Sequence, residues 1–146
     1  MDEHQNLCHT YFMKETDIQY YIAIAKEAAK RSKASRLQVG AVLVNENHIN
    51  AVGYNGTPSG WSNICEIDDK TVPEVIHGEM NALFKFVNEG ISTKGCSLFL
   101  THSPCLDCAK ALYLAGVSNI YYVDEYRSLD GIDFLRKGGC QVKKIY

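Results

Sequence analysis

The sequence has no long hydrophobic run and no excess of positive charge, and each absence argues against a class of protein. No apolar run approaches the roughly 18 residues that a membrane-spanning helix needs, so we expect no membrane partner. The formal net charge is -2, which disfavours a protein that wraps nucleic-acid phosphate. We therefore expect no nucleic-acid partner, although a local basic pocket for a small anion is compatible with this charge.

Internal repeats, low-complexity segments and linkers are also absent. The 146 residues are 46% hydrophobic and 22% charged, which is typical of a soluble globular protein with a sizeable core. We expect residues 1–146 to form a single domain. The polar, acidic beginning MDEHQN does not resemble a secretory signal, so the expected location is the cytoplasm, or the host cytoplasm for a viral protein.

The six cysteines could suggest disulfides, but a chain of this length and hydrophobic content does not need them. Cys105 and Cys108 instead form a CxxC pair, which favours metal binding in a reducing compartment. Cys8 and His9 lie in a stretch without periodicity and are interpreted as incidental. Cys65 is predicted to be a packed thiol, because no other Cys or His lies between it and the next histidine.

Two short stretches carry the strongest chemical signal, His77-Gly78-Glu79 and Pro104-Cys105-Leu106-Asp107-Cys108. The pattern H-x-E…P-C-x-x-C is typical of zinc deaminases. Residues three apart share one face of a helix, and Ser103-Pro104 predicts an N-cap followed by proline at the first helical position. A thiol pair in the first turn of a helix has a lowered pKa, which suits Zn²⁺.

One imidazole and two thiolates leave the fourth position of a tetrahedral zinc ion to water, as in catalytic sites. We therefore predict one Zn²⁺ per chain, held by His77, Cys105 and Cys108. Glu79 is predicted to move protons there, because zinc lowers the pKa of its water ligand to about 7. Residues two apart on a regular helix diverge, so His77 must lie at or next to the N-cap for both side chains to face one cavity.

A closed structural zinc site is the alternative interpretation of this cluster, with His102 or Cys96 as a fourth ligand. It is disfavoured because a structural site does not need a carboxylate such as Glu79 beside it. Loss of activity with retained fold and zinc in Glu79→Gln would distinguish the catalytic site from the structural one.

Hydrophobic periodicity and turn residues predict alternating helices and strands. Helices are predicted at 16–32, 77–89, 105–115 and 128–137, and strands at 38–45, 48–54, 97–101, 119–123 and 141–145. The second helix is expected to bury Met80, Leu83, Phe84 and Val87. The first two strands form a hairpin and helices join the last three, which predicts an α/β fold: a mixed five-stranded sheet, hairpin plus parallel strands, with helices on both faces. The irregular stretch 55–76 is long enough to be functional.

After residue 15 the chain resembles the cytidine deaminase superfamily and, within it, the deoxycytidylate (dCMP) branch. The resemblance rests on the zinc motifs and on Val39-Gly40-Ala41-Val42, Gly53-Tyr54-Asn55-Gly56-Thr57-Pro58, Asn81-Ala82, Ala109-Lys110 and the Tyr121…Tyr126 pair. The GYNGxP loop favours the dCMP branch. The resemblance implies a cytidine deaminase-like fold and hydrolysis of dCMP to dUMP and ammonia, which supplies dUMP for dTMP synthesis.

The resemblance also implies contacts and regulation. Asn55 would contact the deoxyribose, Tyr126 and Lys110 would help to hold sugar or phosphate, and Arg36 would bind phosphate. Members of this branch are commonly homo-hexamers, activated by dCTP and inhibited by dTTP, and Mg²⁺ is expected only with a bound triphosphate effector. The allosteric site is expected at Asn55, Gly56 and Pro58, where the long loop 56–76 begins.

Three features of the sequence depart from the family pattern or have no role in it. Gly78 replaces the usual alanine between His77 and Glu79, no convincing set of ligands exists for the second zinc of some viral members, and His102 has no assigned role.

Two other functions remain as alternatives. A deaminase of nucleic acid, such as a tRNA adenosine editor, shares the zinc motif but is disfavoured by the charge and the GYNGTP loop. A non-catalytic sensor of dCTP or dTTP is disfavoured by the intact Glu79 and the complete set of ligands.

Overall fold

The structure is a computed structural model that describes residues 13–146, so Cys8 and His9 lie outside the described residues. Its elements in chain order are α1 (Glu15–Ala29), β1 (Gly40–Val44), β2 (Asn50–Tyr54), β3 (Glu66–Ile67), β4 (Lys70–Thr71), α2 (Gly78–Asn88), β5 (Ser97–His102), α3 (Leu106–Leu114), β6 (Asn119–Asp124), α4 (Asp130–Lys137) and β7 (Gln141–Lys144). All predicted helices and strands are present, whereas β3 and β4 lie in the stretch predicted to be irregular. Across the described range, no helix has both the length and the hydropathy of a membrane span.

The main sheet has five strands in the order β2-β1-β5-β6-β7. Strand β1 is antiparallel to β2 and to β5, whereas β5, β6 and β7 are parallel to one another. A short turn joins the antiparallel hairpin, and helices α3 and α4 provide the longer crossovers that parallel neighbours need. The predicted mixed five-stranded sheet is therefore confirmed.

Helices cover both faces of this sheet, which explains why every residue of β1 is buried. Successive side chains of a strand point to opposite faces. Val42 and Val44 pack with α1, and Ala41 and Leu43 pack with the other helices. Helix α1 covers its face through Ile18, Tyr21, Ile22 and Ala25, and the other face is covered by residues of α2, α3 and α4, among them Leu83, Phe86, Leu112, Ile132 and Leu135.

The apolar stripe predicted for α2 is wrong in part. Leu83 is buried as expected, but Phe84 and Val87 are 54% and 53% exposed, and Phe86 is buried instead. The buried positions 79, 82, 83 and 86 lie three or four residues apart, so they share the face that contacts the sheet. Phe84 and Val87 are therefore apolar side chains on the outer side of the helix.

Gly53 in β2 lets α2 approach the sheet closely. A Cβ at Gly53 would lie 2.5 Å from the carbonyl oxygen of Gly78 and 2.6 Å from the amide nitrogen of Ala82, so the helix would have to move. We expect Gly53→Ala to lower the free energy of unfolding by about 2 kcal/mol, as measured by chemical denaturation. Gly56→Ala is the control because nothing lies within 4 Å of its Cβ position. An equal loss of stability in both variants would contradict this role of Gly53.

Candidate active site

His77 and the cysteine pair lie at the beginnings of two helices. His77 is the N-cap of α2, as predicted, and its backbone is extended (φ -66°, ψ 150°). Its side chain therefore does not follow the helical spacing of the residues after it. Cys105 is the N-cap of α3 (φ -70°, ψ 169°), so the prediction of Ser103 as the cap is wrong. A residue before proline favours extended backbone, and here the helix begins only at Leu106. The hydroxyl of Ser103 instead accepts a hydrogen bond from the amide of Tyr126 at 2.7 Å.

The three side chains of the CxxC and HxE motifs converge. His77 Nδ1 lies 3.3 Å from Cys108 Sγ and 3.6 Å from Cys105 Sγ, and all three atoms lie within 4.8 Å of one another. A tetrahedral Zn²⁺ with ordinary Zn–S and Zn–N bonds holds such nitrogen and sulfur atoms about 3.6 Å apart. Both the types of donor and their spacing therefore fit zinc.

Among residues 13–146, no fourth side-chain ligand belongs to this cluster. His102 Nδ1 lies 2.9 Å from Thr101 Oγ1, and its Nε2 lies 3.9 Å from Asp124 Oδ2. Cys96 is buried with its thiol 3.8 Å from the carbonyl oxygen of Ser92, and burial raises the pKa of this thiol to about 11. The arrangement thus has the open fourth position of a catalytic zinc site, not the closed set of a structural site.

The thiols favour a single negative charge even without a metal. Hydrogen bonds from Cys108 and His77 lower the pKa of Cys105 to about 4. The pKa of Cys108 is raised by its bond to Cys105 and by burial, and the pKa of His77 is raised chiefly by its bond to Cys105. A cluster that holds a thiolate at neutral pH is a ready ligand for a divalent cation.

Glu79 is the second residue of α2 and is only 4% exposed. It lines the same cavity as His77 and Cys105. Burial raises the pKa of Glu79 to about 7, against the opposing charge of His77. A carboxyl group that gains and loses a proton near neutral pH is suited to general acid–base chemistry.

The cavity above these residues has a volume of about 750 Å³, which is ample for a mononucleotide. Its walls come from residues 34–39, from the β3–β4 hairpin and from the ends of β5 and β6. Arg36, Lys70 and Arg127 bring positive charge to the lining, together with the acidic residues Glu66, Asp124 and Glu125. The lining therefore offers charged groups of both signs to a ligand that carries an anionic group.

The residues predicted to bind substrate are not all at this cavity. Arg36, Asn55 and Tyr126 line it, whereas Lys110 is exposed on α3 and does not. The amide of Asn55 accepts a hydrogen bond from the Val39 amide and donates one to the Leu37 carbonyl, each at 2.8 Å. Asn55 thus fixes a wall of the cavity, and the contact of Lys110 with substrate stays a prediction.

Gly56 and Pro58, predicted to belong to an allosteric site, line a second cavity of about 460 Å³. Arg31, Lys33 and Lys85 also line it and give it a positive character. Asn55 and Cys65 line both cavities, so the two spaces share a wall. Cys65 is buried within this wall, which agrees with its prediction as a packed thiol.

The sequence did not predict the β3–β4 hairpin, which brings Glu66 and Lys70 to the cavity. It also did not predict that Arg127, in the loop after β6, lines the cavity. The hairpin turns through Asp68 and Asp69, whose φ angles of 53° and 62° are left-handed. Paired aspartates between short β-prone stretches are turn residues that tolerate this conformation. That Asp-Asp pair was the signal in the sequence for the hairpin.

Comparison with known proteins gives concordant matches. Residues 15–124 match the profile of the cytidine and deoxycytidylate deaminase zinc-binding region. The human deoxycytidylate deaminase is 37% identical over 122 residues, which cover 77% of this chain and 67% of the human protein. The ComE operon protein 2 of Bacillus subtilis is 35% identical over 114 residues, which cover 75% of this chain. The match spans 60% of the length of that bacterial relative.

A solved structure resembles the whole described fold. The dCMP deaminase of the cyanophage S-TIM5, crystallised in complex with dCMP and dUMP, superposes with a TM-score of 0.87 at 44% identity. The superposition covers 92% of this chain and 100% of the cyanophage chain.

Proposed function

The chain belongs to the family of cytidine and deoxycytidylate deaminases, and on that premise we propose that it hydrolyses dCMP to dUMP and ammonia as one zinc-dependent domain. The proposal depends on one observation: the buried Glu79 lines the same open cavity as the His77 and Cys105 members of the zinc-ligand cluster. The dCMP complex of the similar cyanophage enzyme supports the choice of substrate.

His77, Cys105 and Cys108 would hold the metal. When bound there, Zn²⁺ supplies a water ligand whose pKa is lowered to about 7 and which can attack C4 of the cytosine ring. Glu79 accepts a proton from the attacking water and donates it to the ring nitrogen N3. The same carboxyl group then carries the second proton to the exocyclic amine, so that ammonia leaves and the carbonyl of dUMP forms.

Recognition of the nucleotide is assigned to the walls of the main cavity. The guanidinium of Arg36 would bind the phosphate, a role that suits its planar set of donors. Tyr126 would contact the sugar, and the side-chain amide of Asn55 would reach the deoxyribose. Lys70 and Arg127 also line this cavity and could add to the attraction of an anionic group.

We assign the second cavity, which includes Gly56 and Pro58, to the effectors. The cations Arg31, Lys33 and Lys85 match the charge of a nucleoside triphosphate, which Mg²⁺ would accompany. Activation by dCTP and inhibition by dTTP are proposed to act through the shared wall, because Asn55 also holds the backbone at Leu37 and Val39 in the main cavity.

Assembly into a homo-hexamer is proposed as well, and the exposed apolar side chains of Phe84, Val87 and Leu114 offer surfaces for contact between copies. Sedimentation velocity measures the assembly directly. The enzyme would act in the cytoplasm, or in the host cytoplasm if it is viral, and its dUMP would feed the synthesis of dTMP.

The assay follows ammonia release, or the ultraviolet change from cytosine to uracil, with zinc-loaded protein and dCMP. We expect turnover of dCMP that increases with dCTP and Mg²⁺ and decreases with dTTP. Absence of turnover by folded, zinc-loaded protein, even with dCTP, would refute the proposed function. Free cytidine nucleosides and tRNA would then be the substrates to test.

A further inference from the structure

One wall of the main cavity, residues 35–39, is held by side chains from other parts of the chain. This lead-in segment connects α1 to β1 and belongs to neither a helix nor a strand. Asn55 fixes its second half through Leu37 and Val39. Its first half is held by Glu66, a residue that sequence reasoning did not select.

Glu66 binds the segment with both carboxylate oxygens. Its Oε2 accepts hydrogen bonds from the amides of Ser35 at 3.0 Å and Arg36 at 3.2 Å, and its Oε1 accepts one from the Ser35 hydroxyl at 3.1 Å. Burial acts to raise the pKa of Glu66, but these hydrogen bonds and the charge of Arg36 lower it below its ordinary value. The group is therefore charged at neutral pH, and hydrogen bonds to a charged acceptor are the stronger kind.

The position of Glu66 is itself held by backbone hydrogen bonds. Glu66 pairs with Thr71 in the β3–β4 hairpin, and the carbonyl of Cys65 accepts a hydrogen bond from Val72 at 2.8 Å. The base of this loop is closed by reciprocal backbone hydrogen bonds between Gly56 and Ile76, at 3.1 Å and 2.8 Å. A hairpin anchored at both ends can set the position of the segment that it binds.

Glu66 holds the backbone of Arg36 through its amide, while the Arg36 guanidinium acts on Glu66 only through its charge. Among residues 13–146, the guanidinium of Arg36 has no hydrogen-bond or ion-pair partner, although it lines the cavity with His77 and Glu79. A bidentate contact between an arginine and a phosphate depends on where the guanidinium lies. A fixed backbone limits the positions that the long side chain can reach.

We propose that Glu66 is a positioning residue for Arg36 and thereby sets the preference of the site for a nucleoside monophosphate over the free nucleoside. The inference rests on the proposed function, because it presupposes that Arg36 binds the phosphate of the substrate. The three hydrogen bonds of Glu66 go to Ser35 and Arg36 and not to the zinc ligands or Glu79. We therefore expect its contribution at the phosphate end of the substrate.

The test compares Glu66→Ala, Arg36→Ala and the double variant on dCMP and on deoxycytidine, which lacks the phosphate. We expect Glu66→Ala to raise the KM for dCMP about tenfold, to leave kcat within about twofold, and to leave the parameters for deoxycytidine unchanged. The double variant should be no worse on dCMP than Arg36→Ala alone, because both changes remove the same contact. Glu74→Ala, the same change at an exposed residue of the same loop outside both cavities, is the matched control.

Two results would overturn the inference: equal losses on dCMP and deoxycytidine, or effects of Glu66→Ala and Arg36→Ala that multiply in the double variant. If Glu66→Ala does not fold, Glu66→Gln replaces it, because the amide retains one acceptor oxygen. We then expect a smaller rise in the KM for dCMP and, again, no change for deoxycytidine. If the wild type does not turn over dCMP, the proposed function fails first. Calorimetric binding of dUMP against deoxyuridine then decides the role of Glu66 separately.

Discussion

Glu79→Gln is expected to lower kcat for dCMP by about a thousandfold or more, while the protein keeps its fold and its zinc. The amide has almost the shape of the carboxyl group but cannot take a proton from water or return one to the cytosine ring. Glu79 is buried beside the zinc ligands without being one of the three, so the change should spare metal binding.

The measurement combines the rate of ammonia release with the zinc content and the midpoint of thermal unfolding of the same preparation. Glu89→Gln is the matched control, since it makes the same substitution at an exposed residue at the other end of α2. A Glu79→Gln protein that still turns over dCMP would refute the assignment of the proton shuttle. Loss of zinc together with activity would instead make Glu79 part of the metal site.

Removal of zinc by a chelator is expected to abolish turnover and to lower the midpoint of thermal unfolding by on the order of 10 °C. The reason is that His77 and the two cysteines come from separate helices, which the ion would join. A metal that binds only the folded chain stabilises it through mass action, and that contribution disappears in the apo protein. Added Zn²⁺ should restore both the rate and the midpoint.

Cys108→Ser removes one of the three zinc ligands, and we expect this variant to lose both zinc and activity. Cys140→Ser is its control, because Cys140 is a partly buried cysteine outside the cluster, with its thiol 3.3 Å from the carbonyl oxygen of Val117. Full turnover by zinc-free protein, or equal zinc loss in both variants, would contradict the assigned ligands.

The features that the sequence predicted correctly depend on neighbouring residues. Turn residues and apolar runs determine the β1–β2 hairpin, and the alternation of helices and strands predicts the parallel half of the sheet. The position of His77 at the N-cap followed from a local requirement, since it and Glu79 must face one space.

The features that the sequence did not predict depend on tertiary contacts. Which face of α2 is buried is decided by its approach to Gly53, a residue distant in the sequence, so Phe84 and Val87 were misplaced. Similarly, nothing near Glu66 indicates that its carboxylate binds the backbone at Ser35 and Arg36, some thirty residues away. Periodicity describes one element at a time and carries no information about such pairings.

Strand β1 contributes no side chain to the metal cluster, yet it lies between the strands that support it. Helix α2, whose N-cap is His77, rests on β2 at Gly53, and β5 leads into Cys105. Strand β1 pairs with both β2 and β5. A slip of one residue between β1 and β5 would displace the cysteines that follow β5 by about 3.3 Å. It would also turn each side chain of β5 to the opposite face of the sheet. The affinity for zinc therefore depends on the register of β1 with its neighbours, and a metal-sensitive dye could follow the formation of these strand pairs as the chain folds.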